Sequence, residues 1–252
     1  MNTDPGRSGP GTSPHGVALE GVALEINGVS KFYGHFPALK DIQLNVAAGA
    51  TVALLGRNGA GKTTLLRILA GLSKPSEGSV RVNGADVREQ RTRRRIGVLG
   101  HGISLYDELS AAENLRIFAQ LYGYADPAKR AAEWLERVGL ERVRDGLVRE
   151  FSRGMRQRLA VARAFLHDPD ILLFDEPFTA LDDRAIAVLQ NLLTGAHAAG
   201  RTIIMSTHQL REALLLATHV ALVQRGQLVY EGARTQEMVD DPGYLYRTYG
   251  DN

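Results

Sequence analysis

The sequence contains no cysteine, a single tryptophan and almost no net charge. Its 252 residues include 30 Lys and Arg against 28 Asp and Glu, which gives a formal net charge of +2. A chain without cysteine has no disulfide, no catalytic thiol and no cysteine-ligated metal. Because a strongly basic surface is the usual footprint of proteins that bind nucleic acid, this balanced composition predicts no nucleic-acid partner.

The sequence also lacks a long apolar run. A membrane-spanning helix needs roughly 18 apolar residues, and the best candidate, residues 213–223, is interrupted by Thr218 and His219. Residues 1–16 are rich in Gly, Pro and Ser and have no apolar centre, unlike a secretory signal. We therefore expect no direct membrane span and a cytoplasmic location, with any membrane contact made through a partner protein.

Short apolar segments alternate with helical segments over most of the chain, a pattern typical of an α/β fold with a mostly parallel sheet. We expect a disordered tail over residues 1–20 and a sheet domain over 21–235, with an inserted helical subdomain at about 103–166. The C-terminal tail, 236–252, either packs on the domain or contacts a partner. The predicted strands are 23–27, 42–46, 51–55, 79–82, 96–99, 171–174, 202–205, 220–223 and 228–231. The predicted helices are 64–70, 112–122, 127–138 and 155–167.

The strongest signal directly follows the predicted strand 51–55. Residues 56–63 read Gly-Arg-Asn-Gly-Ala-Gly-Lys-Thr, which is the spacing of a phosphate-binding loop (P-loop) that opens a helix. Glycines let backbone N–H groups close around phosphate oxygens, and a helix N-terminus favours an anion. Lys62 is expected to reach the β- and γ-phosphates, and the Thr63 hydroxyl to bind Mg²⁺. The predicted nucleotide-binding residues of this segment are Gly56, Asn58, Gly59, Gly61, Lys62, Thr63 and Thr64.

Acidic and imidazole side chains follow two later strands. Asp175 and Glu176 come after the apolar run Ile-Leu-Leu-Phe, and His208 follows the strand 202–205. Ligands of α/β proteins bind at the carboxyl ends of the strands, so we expect these side chains near the P-loop. Asp175 is predicted to hold Mg²⁺, Glu176 to orient and deprotonate the attacking water, and His208 to donate a hydrogen bond to the γ-phosphate.

Together these motifs resemble the nucleotide-binding subunits of the ATP-binding cassette (ABC) family, from about residue 23 to 233. Residues 151–155, Phe-Ser-Arg-Gly-Met, resemble the signature sequence that closes over the ATP of a second subunit. The resemblance implies that Ser152 and Gly154 contact the γ-phosphate across a dimer. It also implies that Asp182 lies in a loop signalling across the dimer, and that Tyr33 stacks on adenine.

The resemblance also implies a P-loop NTPase core with an N-terminal antiparallel β part, and an ATPase that uses Mg²⁺. Expected partners are a second ATP-binding subunit, in a homodimer, and membrane-spanning permease subunits that contact residues 102–112. The chain would then lie peripherally on the inner face of the cell membrane.

Two positions depart from the family pattern. The signature has Arg153 and Met155 where a glycine and a glutamine are usual. The glutamine that normally follows the strand 96–99 is absent, and either His101 or Gly102 takes its place, depending on which family spacing is used. The missing glutamine bears on how tightly ATP turnover is coupled to transport, and on the rate of that turnover.

Three functions are compatible with these residues. The first is the ATPase subunit of an exporter, either of the haem type associated with cytochrome c maturation or of the multidrug type. The second is a soluble ABC-type ATPase acting on DNA or ribosomes. The third is a regulatory subunit that binds ATP and turns it over slowly.

Overall fold

The computed structural model describes residues 21–100, 105–179 and 181–250, except the side chain of Arg184. The predictions for residues 1–20, His101 and Gly102 lie outside these ranges. The strands are β1 (Val22–Tyr33), β2 (Phe36–Ala47), β3 (Thr51–Leu55), β4 (Glu77–Val82), β5 (Ala85–Asp86), β6 (Ile96–Leu99), β7 (Ile171–Asp175), β8 (Thr202–Ser206), β9 (His219–Gln224) and β10 (Gln227–Ala233). The helices are α1 (Lys62–Leu69), α2 (Gln90–Arg93), α3 (Ala111–Leu121), α4 (Pro127–Arg137), α5 (Arg153–Phe165), α6 (Asp183–Ala198), α7 (Leu210–Leu216), α8 (Gln236–Asp240) and α9 (Tyr244–Tyr249).

The strands form two sheets. A four-stranded antiparallel sheet has the order β2-β1-β4-β5, and a six-stranded sheet has the order β10-β9-β3-β8-β7-β6. Within the larger sheet only β10 runs antiparallel to its neighbour. The predicted fold class, a mostly parallel α/β sheet with an antiparallel β part and helices, is confirmed.

The larger sheet is buried on both faces. Every residue of β3, β7 and β8 is buried, as expected for parallel strands covered by helices. Successive side chains of a strand point to opposite faces. Accordingly, Val52 and Leu54 join a core with α1 and the antiparallel sheet, whereas Ala53 and Leu55 join a core with α3 to α7. The two cores fix the carboxyl ends of β3, β7 and β8 side by side.

Three of the helices in the region 105–166 begin at side-chain caps. Ser110 forms a capping box with Glu113, Asp126 caps α4, and Ser152 caps α5 by accepting a hydrogen bond from Met155 N at 3.2 Å. The predicted start of α5 at Met155 is therefore wrong by two residues, because the cap lies at Ser152. A Cβ at Gly97 of β6 would lie only 2.2 Å from the carbonyl oxygen of Ala164, so α5 packs directly against the sheet.

The C-terminal segment packs on the domain. Met238 of α8 and Leu245 of α9 are buried in the core with α3 to α7, and the rings of Tyr230 and Tyr249 lie 4.6 Å apart. Burial raises the pKa of the Tyr246 hydroxyl, and a hydrogen bond from the Gly56 backbone opposes that rise. Tyr246 of the tail is therefore close to Gly56, the first residue of the P-loop segment. No helix in the described ranges is long and apolar enough to cross a membrane.

Candidate active site

The P-loop connects β3 to α1 through glycines that no other residue could replace easily. Gly56, Gly59 and Gly61 have φ values of 152°, 79° and 110°. A Cβ at Gly56 would lie 2.3 Å from the Val223 carbonyl oxygen. Gly61 precedes α1 as its N-cap, and no side chain accepts a hydrogen bond there. The first N–H groups of α1 are therefore available to an anion.

Lys62 holds a buried ammonium group inside this loop. Its Nζ donates to the carbonyl oxygens of Gly56 at 2.7 Å and of Arg57 at 3.3 Å. Burial lowers the pKa of Lys62, and the carboxylates of Glu176 and Asp175 act in the opposite direction. An ammonium has three N–H donors, so one remains for a phosphate oxygen. This free donor is the one that the predicted contact of Lys62 with the β- and γ-phosphates requires.

Asp175 ends β7 at the same edge of the sheet and is only 5% exposed. Its Oδ1 accepts a hydrogen bond from Ser206 Oγ of β8 at 2.5 Å, which fixes the carboxylate. The described residues contain no cluster of three His, Cys, Asp or Glu side chains able to hold a metal. Mg²⁺ commonly uses one or two protein oxygens and takes its other ligands from phosphate and water, so Asp175 and Thr63 are a chemically suitable pair.

Glu176 stands directly after the strand in a strained conformation, with a φ of 54°. Its N–H donates to the Ser206 carbonyl oxygen at 2.9 Å. Its Oε2 accepts from the His208 backbone N–H at 3.2 Å and lies 2.8 Å from His208 Nδ1. The Glu176 side chain is 12% exposed and the His208 side chain 57% exposed. Backbone strain that is maintained by surrounding hydrogen bonds commonly marks a functional residue.

A cleft of about 520 Å³ lies in front of these groups. It is lined by Tyr33, Phe36, Ala38, Asn58, Gly59, Ala60, Gly61, Lys62, Thr63, Thr64, Glu176, Thr179 and His208. The structure thereby brings together nine of the predicted residues, namely Tyr33, Asn58, Gly59, Gly61, Lys62, Thr63, Thr64, Glu176 and His208. Gly56 and Asp175 lie behind the lining, where their contacts hold Lys62 and Ser206.

Sequence reasoning missed Phe36 and Thr179. Phe36 is 65% exposed and pairs with Tyr33 across the β1–β2 hairpin, so the two rings share one face of the cleft. The tight Tyr-Gly-His-Phe turn was a signal that could have identified it. The buried Oγ1 of Thr179 has no hydrogen-bond partner among the described residues.

Besides Gly56 and Asp175, three further predicted residues do not line the cleft of their own chain. At the start of α5, Ser152 is exposed and Gly154 is half-buried, and the Asp182 side chain caps α6 by accepting from Ala185 N at 2.8 Å. Within one chain, the segment that resembles the signature therefore lies outside the P-loop cleft.

Residues 39–179 match the family model described as ABC transporter. The chain is 38% identical over 218 residues to the ABC transporter ATP-binding protein NatA of Bacillus subtilis (strain 168), across 83% of this chain and 89% of NatA. This chain belongs to the ABC transporter family. The predicted family and the predicted ATPase activity are confirmed, and the chain is the ATPase subunit of an ABC transporter.

Another relative of this ABC subunit and two solved structures indicate the same family. The daunorubicin/doxorubicin resistance ATP-binding protein DrrA of Streptomyces peucetius is 39% identical over 212 residues, across 82% of this chain and 64% of DrrA. A solved ATP-binding subunit of an ABC transporter has a TM-score of 0.79 and 31% identity, and the match covers 91% of this chain and 95% of that one. A dimeric ATP-binding cassette in a post-hydrolysis state, bound to ADP and Pi, has a TM-score of 0.76 and 29% identity, covering 84% and 99%.

Proposed function

We propose that this ABC subunit drives an exporter, using Lys62 to bind ATP and Glu176 to activate water. The observation that carries the catalytic part of the proposal is the fixed contact of Glu176 with His208 at the edge of the P-loop cleft. In the reaction, Glu176 accepts a proton from water, and the water oxygen bonds to the γ-phosphorus. The bond from that phosphorus to the β,γ-bridging oxygen breaks, which yields ADP and phosphate.

The other residues of the cleft have supporting roles in this proposal. Nδ1 of His208 faces Glu176, so Nε2 is the ring nitrogen left for the γ-phosphate. Thr63 and Asp175 are the residues that would hold Mg²⁺, which when bound neutralises charge on the phosphates. Because Glu176 is intact and held in place, the structure supports turnover rather than a purely regulatory role.

The site is complete only in a dimer. Ser152 and Gly154 lie outside the cleft of their own chain, so they are free to face the γ-phosphate held by a second copy. Subunits of this family dimerise, and the dimeric cassette with ADP and Pi has the same fold. We propose a head-to-tail homodimer in which Asp182 lies near the contact between the copies, bound to membrane-spanning permeases at the inner face of the cell membrane.

Export is the direction that the relatives favour. One relative is the Nod factor export ATP-binding protein I of Cupriavidus metallidurans, which is 39% identical over 220 residues, across 86% of this chain and 72% of that protein. DrrA, another relative, is named for resistance to daunorubicin and doxorubicin. These relatives support a small-molecule exporter of the multidrug type. The finer prediction of haem export depends on the resemblance of the sequence segments 100–101, 105–109, 151–155 and 175–179 to the haem-exporter subgroup, and it stays a prediction.

The permease partner can be identified by capture. Tagged Glu176→Gln protein, incubated with ATP in mild detergent, is expected to retain a multi-span membrane protein in near-equal amount, detected by mass spectrometry. The control is a Lys62→Met chain, which should not bind ATP. It shows which of the captured proteins depend on ATP. Recovery of ribosomes, DNA or soluble proteins alone would leave the ATPase intact and contradict the membrane assignment.

The aromatic pair gives a second test, because Tyr33 and Phe36 offer the surface on which the base would stack. Stacking is worth about 1–3 kcal/mol per base, so Tyr33→Ala and Phe36→Ala should each raise the Kd for ATP by about 5- to 150-fold. Titration calorimetry measures the change. The control is Phe32→Ala, because Phe32 is 42% exposed but does not line the cleft. If Phe36→Ala left the Kd unchanged, the base would be held by Tyr33 alone.

A further inference from the structure

Arg153 differs from the arginines that follow it in α5. Arg156 Nη1 donates to Asp107 Oδ1 at 2.8 Å, and Arg158 Nη1 donates to the Val138 carbonyl oxygen at 2.9 Å. Arg153 is exposed, and its side chain has neither a hydrogen bond nor an ion pair to any residue in the described part of the chain. Its charge is therefore uncompensated by the described residues of its own copy.

The position of Arg153 makes that charge unfavourable in the isolated chain. It is the first residue of α5, where the helix dipole repels a cation, and the first turn contains no acidic residue. The hydroxyl of the neighbouring Ser152 accepts a hydrogen bond from the N–H of Met155 and does not compensate the Arg153 charge. An arginine in this position gains most from an anion supplied by another molecule.

The nucleotide cleft needs such a cation. Lys62 contributes one positive charge, whereas Asp175 and Glu176 contribute two negative charges close to it. Thus the side chains at the end of the phosphate site do not neutralise a triphosphate, even when one Mg²⁺ is bound. Arg57 of the loop is exposed and does not line the cleft.

We propose that Arg153 of one copy is a catalytic residue that contacts the γ-phosphate of ATP bound by the other copy. This inference depends on the proposed head-to-tail dimer, in which the adjacent Ser152 faces the same phosphate. The planar guanidinium donates two parallel hydrogen bonds to phosphate oxygens and keeps its charge throughout. It stabilises the negative charge that the transferring phosphoryl group carries in the transition state.

The first test is steady-state ATP hydrolysis by the full chain. An arginine supplied in trans is worth about 1,000-fold or more in other phosphoryl-transfer enzymes. For this exposed residue we expect Arg153→Gln to lower kcat by at least about 30-fold with little change in KM, and Arg153→Lys to retain part of the rate. Arg142→Gln removes the charge of another exposed arginine, one whose side chain has no partner among the described residues, and should have no effect. A kcat for Arg153→Gln within about twofold of the parent overturns the proposal.

A mixing experiment tests the trans arrangement. Lys62→Met lacks a working cleft but keeps Arg153, and Arg153→Gln keeps the cleft. Mixed dimers combine one intact cleft with one intact arginine, so the mixture should hydrolyse ATP faster than the two separate preparations together. Absence of recovery would overturn the assignment in trans.

Two further measurements separate this inference from the proposed function. In the Glu176→Gln background, Arg153→Gln should weaken the ATP-dependent dimer at least about tenfold by analytical ultracentrifugation, and an unchanged dimer constant would overturn the contact. If Ser152→Ala abolishes hydrolysis and Arg153→Gln does not, the dimer stands and the role of Arg153 fails. If neither variant has an effect on rate or dimer, the head-to-tail dimer itself fails.

Discussion

Replacement of Glu176 by glutamine is expected to lower ATP hydrolysis by at least about 1,000-fold, at the upper part of the range for loss of a general base. The amide has nearly the same size as the carboxylate and keeps an oxygen for the His208 N–H, but it cannot accept the proton of water. Binding is expected to persist, because Lys62 and the P-loop are unchanged. Release of phosphate by the purified chain measures the effect.

The same Glu176→Gln variant should accumulate as an ATP-bound dimer, because closure is no longer followed by hydrolysis. Size-exclusion chromatography with and without ATP shows this directly. Glu237→Gln, which alters an exposed glutamate of α8 outside the cleft, serves as the matched control. Turnover that is unchanged in Glu176→Gln would contradict the role assigned to this residue.

Replacement of Lys62 by methionine is expected to abolish nucleotide binding and hydrolysis. Truncating one partner of a buried, hydrogen-bonded charge pair costs about 2–5 kcal/mol, which corresponds to at least a roughly 30-fold rise in the Kd for ATP. The change also leaves the carbonyl groups of Gly56 and Arg57 without their donor, so the loop loses internal hydrogen bonds as well.

Titration calorimetry with ATP measures the Lys62→Met effect, and Lys129→Met, at an exposed position of α4, controls for the loss of a positive charge. An unchanged Kd would show that backbone N–H groups alone hold the phosphates. Loss of hydrolysis with an intact Kd would instead restrict Lys62 to the transition state.

The predicted strands agree best with the structure where the chain is buried on both faces. The bounds of β3 and β6 match the predicted ones, because continuous apolar runs are unambiguous there. By contrast β1 and β2 are each 12 residues long, against five predicted. Their pairing contains bulges, and Gly28 with a φ of 61° reads as the end of a strand in the sequence. No helix is predicted where α6 lies, although its only glycine, Gly195, is in the last turn.

The site was predictable as a set of motifs but not as a set of contacts. The sequence placed Glu176 and His208 at the same edge of the sheet, yet their 2.8 Å contact depends on the register of β7 with β8. The predicted strand 202–205 ends one residue before Ser206, whose hydroxyl donates a hydrogen bond to Asp175. Such cross-strand contacts join residues about thirty positions apart, and a single sequence carries no direct signal of their distance.

The start of α5, which carries Ser152 and Arg153, lies outside the cleft of its own chain. In the proposed dimer each polypeptide therefore serves two nucleotides, one with its P-loop and the other with its signature. A gene copy encoding a damaged signature would harm the cleft of a healthy partner while leaving its own cleft sound. The healthy copy's signature would still serve the cleft of the damaged copy, so each mixed dimer is expected to keep one complete nucleotide site.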